Sequence, residues 1–196
     1  MEPIAGIVLA AGASSRMGRP KAELTLAGKS FLEHCIEALL AGGCDPVVAV
    51  VGEARQASAR ERPGVLWAQN REAASEPIES IRIGLAQVPP ESAALLVLPV
   101  DAPAVRPETV RALVAAFRAS PGAHVVRPVH DGAPGHPTLF ARVVFQQLRE
   151  PGLAQGAETI VTRHSASRVD VPVDDAGIAG NVNTPADYVR LVKSDE

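Results

Sequence analysis

Residues Ile4 to Lys21 read IAGIVLAAGASSRMGRPK, an apolar run followed by small residues and then by positive charge. The run from Ile4 to Ala10 predicts a buried β-strand, and the glycine-rich segment after it predicts the loop at that strand's carboxyl end. The loop ends in the cations Arg16, Arg19 and Lys21. Because backbone N–H groups and positive charge in such a loop bind polyphosphates, the stretch indicates a nucleoside triphosphate as ligand.

This loop differs from the common phosphate-binding motifs. It lacks the G-x-G-x-x-G spacing of dinucleotide-binding folds, and Gly18 to Lys21 lacks the G-K-S/T ending of a P-loop. An NAD(P)-dependent dehydrogenase is therefore disfavoured, also because Arg16 and Lys21 suit three phosphates better than a dinucleotide bridge. For the loop taken alone, a tight turn without special chemistry remains the alternative.

Strand-like and helix-like segments alternate along the chain, and this alternation predicts an α/β fold. Strands are predicted at 4–10, 46–51, 65–68, 93–98, 124–127, 138–140 and 168–173. Helices are predicted to begin near 30, 53, 77, 107 and 184. We expect a three-layer α/β/α sandwich, Rossmann-like, with a mostly parallel central sheet and ligands at the carboxyl ends of its strands. Short loops and the lack of repeats or linkers predict one domain, residues 1–196.

Helix ends are marked by capping residues. Ser30 with Glu33 three positions later matches a capping box, as does Thr184 with Asp187. Gly42 marks the end of the first helix.

Composition excludes several classes of protein. The net charge is −3 and aromatic residues make up 3%, which disfavours nucleic acid and anionic membranes as partners. Cys35 and Cys44 show neither metal-ligand nor disulfide spacing. With no signal-peptide pattern and no run long enough to span a bilayer, we expect a cytoplasmic protein.

The segment from Leu9 to Lys21 fits L-A-A-G-x-S-x-R-M-G-x-x-K and thereby resembles the signature of the MobA-like nucleotidyltransferases. These include the molybdenum cofactor cytidylyltransferases and guanylyltransferases and, more distantly, isoprenoid and sugar-phosphate nucleotidyltransferases. The resemblance implies a nucleotide-diphospho-sugar transferase-like fold, with Arg16 and Lys21 as the phosphate-binding, catalytic pair. The residues expected to bind the nucleotide in this loop are Leu9, Ala10, Ala11, Gly12, Ala13, Ser14 and Ser15.

Asp101 follows the apolar run 93–98 at a predicted strand end, where an aspartate can hold Mg²⁺ together with phosphate oxygens. The alternative is a turn aspartate that serves its own backbone. Its D-A-P context resembles the D-x-P motif of the family, which implies a metal-binding, catalytic aspartate.

Near the C-terminus, the stretch from Gly180 to Tyr188, GNVNTPADY, is explained in part by helix capping. It is also similar to a family segment that supplies a second metal ligand at the position of Asn183. Relatives often have aspartates where this chain has Asn181 and Asn183, so the metal site is expected to be less negative here.

Two further segments resemble substrate-binding parts of the family. Asn70 and Ser80 match positions that contact the nucleoside, although Glu76 and Pro77 replace residues that are usually flexible. His136, within G-H-P, matches a residue that lines the acceptor pocket, and a surface turn is the alternative.

Together these features predict a Mg²⁺-dependent enzyme that joins the NMP of an NTP to a phosphorylated acceptor and releases pyrophosphate. The segments Leu9 to Gly12 and Pro20 to Lys21 resemble the cytidylyl branch, which implies CTP and molybdopterin as substrates. Contact with a molybdoenzyme or a chaperone would fit this role. The alternatives are a sugar, polyol or other small phosphate as acceptor, and a non-catalytic nucleotide- or cofactor-binding protein.

Overall fold

The computed structural model describes residues 2–12, 17–52, 61–72 and 75–194. The predicted polar helix near 53–60 therefore lies outside the described residues. The strands are β1 (Ile4–Ala10), β2 (Thr25–Leu26), β3 (Lys29–Ser30), β4 (Val47–Val51), β5 (Val65–Gln69), β6 (Ala94–Pro99), β7 (Val125–His130), β8 (Ala133–Pro134), β9 (Thr138–Ala141) and β10 (Arg168–Pro172).

The helices in these ranges are α1 (Phe31–Ala41), α2 (Pro77–Leu85), α3 (Pro107–Ala119), α4 (Phe145–Leu148), α5 (Ala157–Arg163) and α6 (Pro185–Ser194). Both predicted capping boxes form. The Ser30 side chain accepts from the Glu33 N–H, and the Glu33 carboxylate accepts from the Ser30 N–H. Thr184 and Asp187 make the equivalent reciprocal pair at the start of α6.

One large sheet has the strand order β10-β7-β9-β6-β1-β4-β5, with β8 paired to β7. Strand β1 lies between β4 and β6 and is parallel to both, so the predicted mostly parallel sheet is confirmed. Strand β9 runs antiparallel to β6 and β7, while β2 and β3 form a separate hairpin. The carboxyl ends of β1 and β6 therefore meet at the same edge of the sheet.

Successive residues of the central strands pack against different helix layers, because side chains alternate across a sheet. Helices α1 and α3 cover one face, and α2 and α5 cover the other. In β1, for example, Ile4 and Val8 pack on the first side, while Ala5 and Ile7 pack on the second. The predicted α/β/α sandwich is thereby confirmed. Within the described part of the chain, none of the helices combines the length and the apolarity needed to cross a bilayer.

The elements missing from the sequence-based prediction are short: the hairpin, β8, α4 and α5. Strands of two residues and helices of four to seven are too brief to show a clear hydrophobic period. The antiparallel orientation of β9 was also not predicted. Its direction depends on which strands flank it, and a single segment carries no information on that.

Asp175 anchors the segment between β10 and α6. Its side chain is 2% exposed, and its carboxylate accepts from the Arg106 N–H at 2.9 Å, the Thr109 hydroxyl at 2.6 Å and the Gly177 N–H at 3.0 Å. The first two donors belong to the N-terminus of α3. The C-terminal segment is thus tied to the helix that follows β6, which fixes where residues 180–184 lie.

We expect Asp175→Ala to lower the free energy of unfolding by about 2–3 kcal/mol, because it leaves buried donors without an acceptor. Urea unfolding followed by circular dichroism measures the change. Asp174→Ala is the matched control, since Asp174 is adjacent and exposed, and it should shift the value by less than about 0.5 kcal/mol. Equal stabilities of the two variants would contradict this role of Asp175.

Candidate functional site

A cavity of about 450 Å³ opens at the carboxyl ends of β1 and β6. Such edges are where open α/β sheets bind ligands. Its lining comes from the first loop, from α2 and α5, and from the ends of β6 and β9; it includes Leu9, Ala10, Ala11, Gly12, Lys21, Ser80, Val97, Asp101, His136, Phe140, Glu158, Val161 and Asn181. Most of the sequence-predicted site residues that the structure describes therefore meet at one cavity.

Lys21 begins a short 3-10 turn that faces this cavity. The Glu23 N–H donates to the Pro20 carbonyl at 3.0 Å, and the Leu24 N–H donates to the Lys21 carbonyl at 3.1 Å. Ala22 and Leu24 are 3% and 1% exposed. Because Ala22 within the turn and Leu24 just after it are buried, the turn is anchored to the core and holds Lys21 at the edge of the cavity.

Asp101 lies two residues beyond β6. The backbone of this strand end is held to β1 by the Val100 N–H, which donates to the Leu9 carbonyl at 3.0 Å. On the other side, the Val182 N–H donates to the Asp101 carbonyl at 2.8 Å. This last bond sets the C-terminal segment directly beside Asp101, although the two are 81 residues apart in sequence.

Three side chains converge there. The Lys21 ammonium donates to Oδ2 of Asp101 at 3.0 Å and to Oδ1 of Asn183 at 2.7 Å. The Asn183 backbone is held in turn, because its N–H donates to the Asp187 carboxylate at 3.1 Å. The Thr184 hydroxyl and N–H also donate to Asp187, and these bonds lower the pKa of that carboxyl to about 2. Asp187 thus has two roles: it caps α6 and it orients Asn183.

The donor set suits a hard divalent cation that is shared with phosphates. Oδ2 of Asp101 and Oδ1 of Asn183 already contact one cationic nitrogen, so both can reach a common ion. Among the described residues, no three His, Cys, Asp or Glu side chains are grouped as in an all-protein metal cage. One carboxylate and one amide oxygen are what Mg²⁺ or Mn²⁺ typically takes from a protein when phosphate oxygens complete its shell.

Asn70 and Ser80 lie close together because their side chains are hydrogen-bonded to each other. The Asn70 amide donates to the Ser75 hydroxyl at 2.8 Å and to the Ser80 hydroxyl at 3.0 Å, and its oxygen accepts from the Glu72 N–H at 3.0 Å. Its hydrogen-bonding capacity is therefore largely used within the protein. Ser80 lines the cavity, and Asn70 supports it, so a nucleoside contact of Asn70 itself stays a prediction.

Helix α2 carries Ser80 and Ile81 to the cavity wall and packs closely on β1. A Cβ at Gly84 would lie 2.7 Å from Cδ1 of Ile7, so a larger residue would force this buried side chain or the helix to shift. Glycine at position 84 thus favours the observed position of the helix over the strand.

His136 faces the cavity from the loop before β9. A Cβ at Gly135 would lie 2.3 Å from the Ile178 carbonyl oxygen, and the His136 N–H donates to that oxygen at 2.8 Å. Nδ1 of His136 is buried and makes no hydrogen bond within the described part of the protein. A lining nitrogen of this kind is available to a ligand.

Burial lowers the pKa of His136 below its usual value of 6.5, and the carboxylates of Asp101 and Glu158 oppose this shift. We therefore expect a neutral imidazole at pH 7, and a midpoint below 6.5 in an NMR titration assigned with His136→Gln. Because the folded state takes up this proton less readily than the unfolded state, stability should fall as the pH drops through 6.5. A midpoint above 6.5 would contradict the prediction.

Glu158 was missed by sequence reasoning. It lies on α5, lines the cavity and is exposed. The signal for its helix is weak: Ala157, Ile160 and Val161 have helical spacing after Gly156, over only seven residues. Four residues predicted to bind the nucleotide or its phosphates, Ala13, Ser14, Ser15 and Arg16, lie outside the described residues.

The fold and the site together are those of a nucleotidyltransferase: a mostly parallel sheet presents the Lys21 ammonium and the side-chain oxygens of Asp101 and Asn183 beside a cavity large enough for small-molecule substrates. Residues 6–169 match the family described as the MobA-like NTP transferase domain. The chain belongs to this family and is an enzyme of the nucleotidyltransferase class.

Several curated proteins are similar to the chain. A probable molybdenum cofactor guanylyltransferase from Rhodopirellula baltica is 28% identical, covering 94% of this chain and 90% of that protein. The 2-C-methyl-D-erythritol 4-phosphate cytidylyltransferase of Streptomyces coelicolor is 31% identical, covering 89% and 72%. Nicotine blue oxidoreductase of Paenarthrobacter nicotinovorans is 47% identical over 55 residues, which span 28% of this chain and 27% of that protein.

Solved structures are similar over the whole chain. Rv0371c from Mycobacterium tuberculosis has a TM-score of 0.83 and 28% identity, and the match covers 97% of each chain. The same protein in complex with manganese has a TM-score of 0.76 and 26% identity, covering 98% of this chain and 99% of that one. The predicted nucleotide-diphospho-sugar transferase-like fold is thereby confirmed.

Proposed function

We propose that this enzyme transfers CMP from CTP to the phosphate of molybdopterin, with a divalent cation such as Mg²⁺, and releases pyrophosphate. The observation that carries the proposal is the contact of the Lys21 ammonium with Asp101 and Asn183, beside the cavity that Lys21 and Asp101 line. The acceptor phosphate attacks the α-phosphorus, so no covalent intermediate with the enzyme is required. Positioning and charge neutralisation then supply most of the catalysis.

The chain's own residues take distinct parts in this reaction. Backbone amides of the loop from Ala11 to Ser15 bind the triphosphate, and Arg16 and Lys21 neutralise it. Asp101 and Asn183 would hold the divalent ion, which when bound neutralises charge on the phosphates and the leaving pyrophosphate.

The cavity wall includes the apolar side chains Ile81, Val97, Phe140 and Val161, and Lys21 is the one cation among the described lining residues. These apolar side chains support an acceptor with a planar or apolar body. We propose that His136 contacts the acceptor there.

The choice of CTP rests on the first loop, Leu9 to Gly12, which resembles the cytidylyl branch. The names of two relatives, a guanylyltransferase and a cytidylyltransferase, differ in the base of the nucleotide. These relatives therefore do not choose between GTP and CTP. We also propose a single domain over residues 1–196. The buried free thiols Cys35 and Cys44 support a reducing compartment such as the cytoplasm.

The test is pyrophosphate release from each of the four NTPs in combination with molybdopterin, a sugar phosphate and a polyol phosphate. We expect release with CTP and molybdopterin. Release with GTP would replace the base, and release with a polyol phosphate, the substrate class in the name of the Streptomyces coelicolor relative, would replace the acceptor. Nucleotide binding without turnover under every combination would instead support a binding protein.

A further inference from the structure

The Lys21 ammonium contacts the two oxygen atoms that the proposed function assigns to a divalent ion. It is 3.0 Å from Oδ2 of Asp101 and 2.7 Å from Oδ1 of Asn183, and these side chains are 16% exposed for Lys21 and 22% for Asp101. A divalent ion bonded to the same oxygens at about 2.0–2.2 Å would lie within contact of that nitrogen. The ammonium and a divalent ion would repel each other at this distance, so contact of both with these two oxygens would cost considerable free energy.

The position of Lys21 is built into the fold. Its turn is anchored by buried Ala22 and Leu24 on one side. On the other side, the bond from the Val182 N–H to the Asp101 carbonyl and the hold of Asp187 on Asn183 fix the oxygens. The contact therefore joins three separately positioned parts of the chain.

The charge balance favours the ammonium in this arrangement. Asp101 supplies one negative charge, and Asn183 supplies a neutral oxygen, so Lys21 neutralises the pair. A triphosphate offers the ammonium several stronger acceptors, since phosphate oxygens carry more charge. Moving Lys21 to the phosphates would restore the negative charge of Asp101 just where a divalent ion needs it.

From this geometry we propose that Lys21 excludes divalent metal from the Asp101–Asn183 pair until a nucleoside triphosphate draws its ammonium away, so that metal and nucleotide bind with positive coupling. Only the coupling to nucleotide binding rests on the proposed function. Competition between Lys21 and the metal needs no nucleotide and can be measured alone. By linkage, metal must then strengthen nucleotide binding by the same factor.

The experiment measures Mn²⁺ affinity by electron paramagnetic resonance of the free ion, without nucleotide. We expect Lys21→Met to bind Mn²⁺ about tenfold more tightly than the wild type, a typical size for coupling between sites. Arg19→Met is the matched control, because it removes one positive charge from the exposed end of the same loop; its affinity should stay within about twofold of the wild type, as expected for a screened surface charge. Equal affinities of Lys21→Met and Arg19→Met would overturn the proposal.

A second variant guards against a folding defect in the first. Asn183→Asp keeps Lys21 and adds a negative charge, so it should also tighten Mn²⁺ binding without nucleotide. In either variant, adding Asp101→Asn should abolish the gain, which places the ion at this pair. If Lys21→Met folds, as judged by circular dichroism, and gains no affinity, the proposal is wrong whatever Asn183→Asp does.

A final arm separates this proposal from the proposed function. A non-hydrolysable CTP analogue should tighten Mn²⁺ binding to the wild type about tenfold and to Lys21→Met much less. If calorimetry finds no nucleotide binding at all, the proposed function fails, while the comparison without nucleotide still decides whether Lys21 competes with metal. An equal gain from the analogue in both proteins would contradict the coupling.

Discussion

Replacing Lys21 by methionine is expected to lower the turnover number for pyrophosphate release about 100- to 1,000-fold, the usual effect of removing one charge-stabilising group from an active site. Methionine keeps much of the length of the side chain but cannot neutralise the charge that grows on the leaving pyrophosphate. The effect should lie mainly in the turnover number, because the transition state carries more of this charge on the leaving group than the bound substrate does.

Lys29→Met is the matched control for this measurement. Lys29 is also a lysine, lies eight positions further on and pairs with Glu37 at 2.7 Å on the surface. Its replacement should leave turnover within about twofold, since exposed ion pairs contribute little. Turnover by Lys21→Met equal to that of Lys29→Met would remove Lys21 from the catalytic machinery.

Replacing Asp101 by asparagine should have a comparable effect, a loss of about 100- to 1,000-fold in turnover, through a different cause. The amide keeps the shape of the side chain but removes the charged oxygen offered to the divalent ion. The metal concentration needed for half-maximal rate should therefore rise, whereas Lys21→Met should not raise it. Steady-state rates measured over a Mg²⁺ titration distinguish the two variants.

The fold should survive this substitution. Asparagine keeps a side-chain oxygen that can accept from the Lys21 ammonium, and the backbone bond from the Val182 N–H to residue 101 is unchanged. Asp131→Asn is the control, because the Asp131 side chain is 93% exposed and asparagine is also accepted at its φ of 49°. An Asp101→Asn enzyme with unchanged rate and unchanged metal requirement would contradict the assignment of Asp101.

The order of strands and helices was largely readable from local sequence. The apolar run Ile4–Ala10 is fully strand-like, and the capping residues of α1 and α6 predict their first turns. These signals are local, because a strand's apolar composition and a helix cap depend on residues within a few positions. Both ends of β1 match the prediction, and other boundaries differ by up to three residues, as at β7, which extends to His130.

The candidate site was only partly predictable for the opposite reason. Motifs pointed to Lys21, Asp101 and Asn183 one at a time, but the contact among them depends on the Val182–Asp101 backbone bond. Glu158 and Asp175 carried no usable signal, since burial of a single aspartate or the lining of a cavity arises only when distant elements pack. Asn70 resembled a nucleoside contact, yet its amide is engaged with Ser75 and Ser80.

The amino-acid sequence by itself determined the alternation of elements, the cationic loop after β1 and the family, because each is encoded in neighbouring residues. Only the tertiary structure decided that a lysine, an aspartate and an asparagine from three distant segments share one position. The parallel arrangement of β1 and β6 brings their carboxyl ends to one edge of the sheet, and the capped C-terminal segment closes over that edge. The proposed competition between Lys21 and a divalent ion depends on the distances among these three side chains. No local sequence pattern specifies those distances.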